Sequence, residues 1–193
     1  MASTADRRVR RTRAALTGAL MALMVEKDYA SITVQDLIDR ADVGRSTFYA
    51  HFTDKSDLLH EALSGLQAVL EPGPGAPSGD PRRPLRFSGE MFRHVRDQRA
   101  LLRSLFRRPG GDEVVAEIEQ VLVTVVQGEL EALAIPEGTT RVPVDLLARG
   151  VVGAYLATLS WWVANGFDQT PAQMTEFFET MLGPGVKTAL ALR

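Results

Sequence analysis

Arg45, Ser46, Thr47, Tyr49 and His51 place a guanidinium, three hydroxyls and an imidazole within seven consecutive residues. Such groups hydrogen-bond to phosphate oxygens and base edges, and a guanidinium can fork onto a guanine edge or a phosphate. Phe48 and Phe52, four residues apart, would anchor one side of a helix inward and leave the polar groups outside. Lys55 follows Asp54 in the first turn of a further helix, where it opposes the helix dipole and suits a nearby anion. Other chemistries find little to work with. His51, His60 and His94 are the only histidines, and none has a partner at metal-ligand spacing. This chain has no cysteine, hence no thiolate metal site, disulfide or thiol nucleophile. His60 reads as a solvated residue, and His94 as either a structural histidine or a pocket group. Glu113 with Glu117, and Glu129 with Glu131, read as solvated helix faces rather than acid–base pairs. With no phosphate-cradling glycine motif and no nucleophile elbow, neither an enzyme nor a cofactor or metal site is expected.

Positioning these groups requires short helices and a tight turn. Thr33 followed by Asp36 is a capping-box-like start, with Val34, Leu37 and Ile38 as the apolar stripe behind it. Ala41-Asp42-Val43-Gly44 breaks that helix, since Asp42 tolerates left-handed backbone and Gly44 adopts it freely. The recognition helix is then expected over Arg45–Phe52, followed by a helix capped by Asp54. That layout is a helix-turn-helix, whose second helix enters a DNA major groove. Packing of Tyr49 between helices is the alternative to its DNA role.

The residues Thr12-Arg13, Leu16, Ala19-Leu20, Tyr29, Thr33-Val34, Ala41, Val43, Thr47-Phe48-Tyr49, His51-Phe52, Asp54-Lys55 and Leu58-Leu59 carry a more specific signal. Over about residues 12–60 the chain resembles the amino-terminal DNA-binding domain of the TetR family of bacterial transcriptional regulators. It departs from the family pattern at Asp28 and Asp42, where glycine is usual, and at Ile38, where a small alanine is usual. The aspartates are tolerable left-handed substitutes, and Ile38 implies altered packing between the motif's two helices. The resemblance implies DNA contacts by Thr33, Arg45, Ser46, Thr47, Tyr49, His51 and Lys55.

The net charge of −2 argues against DNA only until its distribution is read. Arg7, Arg8, Arg10, Arg11 and Arg13 face Asp6 alone in the first thirteen residues. Such a basic arm follows phosphates or reaches a minor groove, or else acts as a solubilising tail. No apolar stretch with a small-residue cleavage site follows it, so no signal peptide is read and a cytoplasmic location is expected.

Apolar spacing predicts helices over 11–27, 54–70, 85–108 with a break near Asp97, 112–134, 144–167, and from the Thr170-Pro171-Ala172-Gln173 capping box to a stop at Gly183-Pro184-Gly185. The fold is expected to be all-α. Its parts are a basic arm at 1–11, the DNA-binding domain at 12–60, the connecting part of helix four at 61–70, a flexible Pro/Gly loop at 71–84, and a ligand-binding and dimerisation domain at 85–193.

Gly150 to Phe167 is uncharged throughout. Its three glycines, Thr158, Ser160 and Asn165, with no basic cluster flanking it, argue against a membrane span. A helix apolar on most sides must be covered on most sides, so a second copy is expected against it, with Gly150, Gly153, Ala154 and Ala157 permitting close approach. Pairing through the last two long helices is also what the resemblance implies. Met91, Phe92, His94, Leu102, Phe106, Tyr155, Trp161, Trp162 and Phe177 are candidates for lining an effector pocket. The expected function is a homodimeric repressor on a palindromic double-stranded operator, released by a small apolar or amphipathic effector. Control by a protein partner, and an all-α binding module or enzyme with a vestigial DNA head, are the alternatives.

Overall fold

Thr33 and Asp36 cap each other. The Asp36 amide donates to Thr33 Oγ1 at 3.2 Å and the Thr33 amide to Asp36 Oδ2 at 2.7 Å, satisfying two helix-start donors reciprocally. In the computed structural model, which describes residues 4–70, 84–107, 111–133 and 140–191, this fixes α2 at Val34–Ala41. Before it come α1 (Thr4–Glu26) and a 3-10 turn at Tyr29–Ser31. After it come α3 (Arg45–Tyr49), α4 (Lys55–Leu70), α5 (Phe87–Asp97), α6 (Arg99–Arg107), α7 (Gly111–Leu133), α8 (Val144–Ala164) and α9 (Pro171–Ala189). The described residues contain no strand, and the fold is all-α.

The chain divides into two units, Met1–Gly65 with Ala100–Glu117 and Leu66–Arg99 with Ile118–Arg193. In the first, Leu16, Leu20, Leu23 and Met24 of α1 are buried together with Leu37 and Ile38 of α2, Phe48 and Phe52, and Leu58 and Leu59 of α4. Ion pairs clasp α1 to α2, Lys27 to Asp36 at 2.7 Å and Arg40 to Glu26 at 2.6 Å. The Lys27 bond, with those from Thr33, holds the Asp36 carboxyl below the usual range. Arg13 joins Glu61 of α4 at 2.9 Å while its guanidinium lies 5.1 Å from the Phe52 ring centre. The Ser104 hydroxyl of α6 donates to the Met24 carbonyl oxygen at 2.7 Å. At the start of α7, Gly111 is obligatory, because a Cβ there would overlap the Leu105 carbonyl oxygen.

In the second unit α9 packs against α5 and α8. Met91, Phe92 and Val95 of α5, Val152, Tyr155 and Trp162 of α8, and Met174 and Phe178 of α9 form its core. Glu129 of α7 accepts the Arg86 and Phe87 amides at 2.7 and 3.2 Å, supplying from another helix the cap that α5 lacks in its own sequence. Glu129 is therefore not on a solvated face, as its sequence context suggests.

Several boundaries differ from expectation. α1 begins at Thr4 rather than Arg11, so the arginines of the basic arm stand on helix. α9 continues through Pro184 to Ala189. An interior proline costs about 3 kcal/mol, but the burial of Val186 and Leu190 beyond it offsets that. Asp28 has φ −62° and is not left-handed. Ala100–Glu117 groups with the first unit. The loop expected at 71–84 lies, except for Pro84, outside the described residues.

Candidate nucleic-acid interface and effector site

Asp42 closes α2 in the left-handed conformation, φ 52° and ψ 51°, and the Val43 amide reaches back to the Ile38 carbonyl oxygen at 3.1 Å. Gly44 is extended, with φ −74°, so its glycine freedom is not used; it serves as the cap residue of α3. The regular helix ends at Tyr49, shorter than the expected Arg45–Phe52, and Ala50 and His51 continue as a turn.

Phe48 has no exposed surface, and its ring meets Tyr49 edge-on at 5.3 Å and Phe52 at 5.9 Å. That anchor leaves Arg45 and Ser46 exposed, Thr47 and His51 half-buried, and Tyr49 50% exposed. Tyr49 is thus not sequestered between helices. The Arg45 guanidinium lies 5.9 Å from the Tyr49 ring centre, which pre-orders a cation beside a hydroxyl on the outer side of the motif.

Two expected contact residues already have partners. Thr33 is the α2 cap, and its hydroxyl and amide both meet Asp36. Lys55 donates to the Tyr29 carbonyl oxygen at 2.8 Å and lies over the Tyr29 ring, and its burial lowers its pKa while Glu113 opposes the shift. Asp54 caps α4 as expected, accepting the Asp57 amide at 2.8 Å.

The expected pocket residues do not all come together. Met91, Phe92, Tyr155 and Trp162 are buried in the second unit, where Phe92 lies 5.0 Å from Tyr155 and 5.8 Å from Trp162 between ring centres. Phe87 and Phe178 complete this cluster, at 5.6 and 5.8 Å from Tyr155. His94 is half-buried, and burial lowers its pKa against the pull of Asp97. Leu102 and Phe106 belong to the first unit. Trp161 and Phe177 are 49% and 44% exposed, because a helix turns successive residues by about 100° and their neighbours Trp162 and Phe178 take the inward direction. Among the described residues no group of three His, Asp or Glu side chains comes together to hold a metal.

Comparison with known proteins decides the family. Residues 16–62 match the model of bacterial regulatory proteins of the tetR family, and residues 84–183, more than half of the chain, match that of a transcriptional regulator C-terminal region. The chain belongs to the TetR family. The uncharacterized HTH-type transcriptional regulator YxbF of Bacillus subtilis is 47% identical over 59 residues, a match covering 30% of this chain and 16% of that protein. A TetR transcriptional regulator of Streptococcus agalactiae has the same fold at TM-score 0.66 and 26% identity, over 92% of this chain and 96% of that one. A TetR-family transcriptional regulator of Syntrophomonas wolfei aligns at TM-score 0.70 and 20% identity, over 94% and 96% of the two chains. This TetR-family chain is a DNA-binding transcriptional regulator.

Sequence reasoning about this TetR-family chain missed Phe87 and Glu129. Phe87 is the third residue after the Pro/Gly loop, and only the cap from Glu129, distant in sequence, marks it as a helix start. A glutamate among other glutamates gives no sign that it reaches a remote amide.

Proposed function

We propose that this TetR-family regulator is a homodimeric repressor that reads a palindromic operator through α3 and releases it when a small, apolar or amphipathic effector enters the second unit. The observation that carries DNA reading is the disposition of α3, with Phe48 wholly buried beneath exposed Arg45, Ser46 and Tyr49. Arg45 forks onto a base edge or phosphate. Thr47, Tyr49 and His51 supply hydrogen bonds to the backbone and to base edges, and Thr33 and Lys55 act beside them. Support for pairing comes from α8 and α9, whose outward sides carry Leu146, Trp161, Phe177 and Met181 exposed. Gly150 and Gly153 are exposed on α8, and among the described residues nothing lies within 4 Å of a Cβ built at either. Their lack of side chains makes room for no described neighbour and suits close approach of a second copy. A two-fold dimer then requires a two-fold site. Differential affinity of the effector for the two states of the dimer sets DNA release.

Selection of DNA sequences with the wild type and with Arg45→Ala tests this reading. The wild type should enrich a palindrome. The variant should lose about 1–3 kcal/mol at that site and relax preference at one base pair per half-site. An identical motif and affinity from both proteins would remove α3 as the reading element. A reporter driven by the selected site gives the sign of regulation, with repression expected.

A further inference from the structure

Tyr155 is wholly buried on α8, and among the described residues its hydroxyl has no hydrogen-bond partner. Phe87, Phe92 and Phe178 enclose its ring, with centres 5.6, 5.0 and 5.8 Å away. A buried phenol hydroxyl that no neighbouring described side chain or backbone group satisfies is costly, and protein interiors satisfy most such groups. Phenylalanine would fill nearly the same volume without that penalty. The tyrosine is therefore explained by something the hydroxyl meets when the cluster is occupied. Among the described residues, Gln169 Oε1 is another buried polar atom without a partner. It belongs to the same unit, on the residue whose carbonyl oxygen accepts the Trp162 indole N–H at 3.1 Å.

We propose that the Tyr155 hydroxyl is the polar anchor of the effector site, and that the effector is an uncharged, mainly apolar molecule carrying a hydrogen-bond acceptor. The proposal rests on the reading that an effector binds in the second unit, and it narrows the chemistry of that effector. Phe87, Phe92 and Phe178 around the Tyr155 ring are hydrocarbon and carry no charge, so an ionised ligand beside them would lose its hydration with no counter-charge from these rings. Glu129, at the Phe87 end, is engaged with backbone amides and would repel an anion. The rings pack close together, so the ligand enters by parting them, and the hydrogen bond formed at Tyr155 offsets part of the dispersion energy that parting the rings gives up.

Three probes of similar shape test the anchor on the full chain: acetophenone, ethylbenzene and benzoate, followed by calorimetry and thermal melts. Acetophenone should bind the wild type about fivefold more tightly than ethylbenzene, the ratio that one neutral hydrogen bond gives. Benzoate should not bind, and Tyr155→Phe should erase the preference for the ketone. The ligand-free Tyr155→Phe protein should melt at the wild-type temperature or above it, because only an unpartnered hydroxyl has been removed. A lower melting temperature would mean that the hydroxyl has a structural partner, and would overturn the proposal. A ketone preference that survives in the variant would do the same, as would a wild type that binds none of the probes. DNA affinity at the selected site, measured on the same preparations, keeps the readings apart. If acetophenone releases DNA from wild type and variant equally, the effector reading stands and the anchor falls.

Discussion

The Lys55 ammonium donates to the Tyr29 carbonyl oxygen at 2.8 Å and lies 4.2 Å from the centre of the same residue's ring. One side chain thereby joins the first turn of α4 to the turn that precedes α2. An ammonium has three donors, so the bond to Tyr29 leaves others for a phosphate. The lysine that opposes the α4 dipole is thus held in place by a carbonyl and a π-face inside the head.

Lys55→Ala should accordingly have two effects. Loss of the charged hydrogen bond and the ring contact should destabilise the chain by about 1–2 kcal/mol in urea unfolding. DNA binding should weaken alike at matched and mismatched sites, since a lysine on phosphate carries no sequence information. Unchanged stability would show that the Tyr29 contact is energetically idle, and a changed sequence preference would give Lys55 a base contact.

Replacing Arg7, Arg8, Arg10 and Arg11 by alanine should flatten the salt dependence of DNA binding by about 0.9 in log–log slope for each phosphate contact removed. These side chains are exposed on the first turns of α1, where positive charge opposes the helix dipole. The variant should therefore melt no lower than wild type. An unchanged slope in a salt titration would return the segment to a solubilising role.

Gly153→Arg should convert the proposed dimer to monomers in sedimentation at micromolar concentration without loss of helix content. Among the described residues nothing lies within 4 Å of a Cβ at this position, and arginine is a better helix former than glycine. A variant dimer as tight as the wild type would place the interface elsewhere.

Burial raises the Glu129 carboxyl above its usual range, against the downward pull of the Arg86 and Phe87 amides. The folded chain then holds this proton more tightly than the unfolded one. The group's contribution to stability is full below the unfolded value, about 4.5, and is lost as pH rises through the higher folded value. Thermal melts should show the wild-type advantage over Glu129→Gln shrinking as pH rises from 4.5. An advantage that grows instead would reverse the assigned direction.

The head was legible because its signals are local. Thr33 and Asp36 meet three residues apart, Asp42 turns left-handed where the helix ends, and Phe48 and Phe52 are spaced to face inward. What escaped depends on remote partners. The occupancy of Lys55 by Tyr29 spans twenty-six positions, and the cap from Glu129 to Phe87 forty-two. The inward direction of Trp162 rather than Trp161 is set by which side of α8 meets α5 and α9, and two adjacent tryptophans leave that choice open. The passage of α9 through Pro184 is a tertiary outcome too, decided by apolar surface buried beyond the proline.

The adjacent tryptophans give the chain two optical reporters, and it has no others of that kind. Trp162, with no exposed surface and its ring 4.9 Å from that of Phe167, should emit at short wavelength and resist acrylamide. Trp161, half in solvent, should emit further to the red and be quenched readily. On the proposed reading, dilution that separates two copies would act on Trp161, whereas a molecule entering the aromatic cluster would act on Trp162. Single replacements of each by phenylalanine make assembly and effector binding separately visible in one fluorescence experiment.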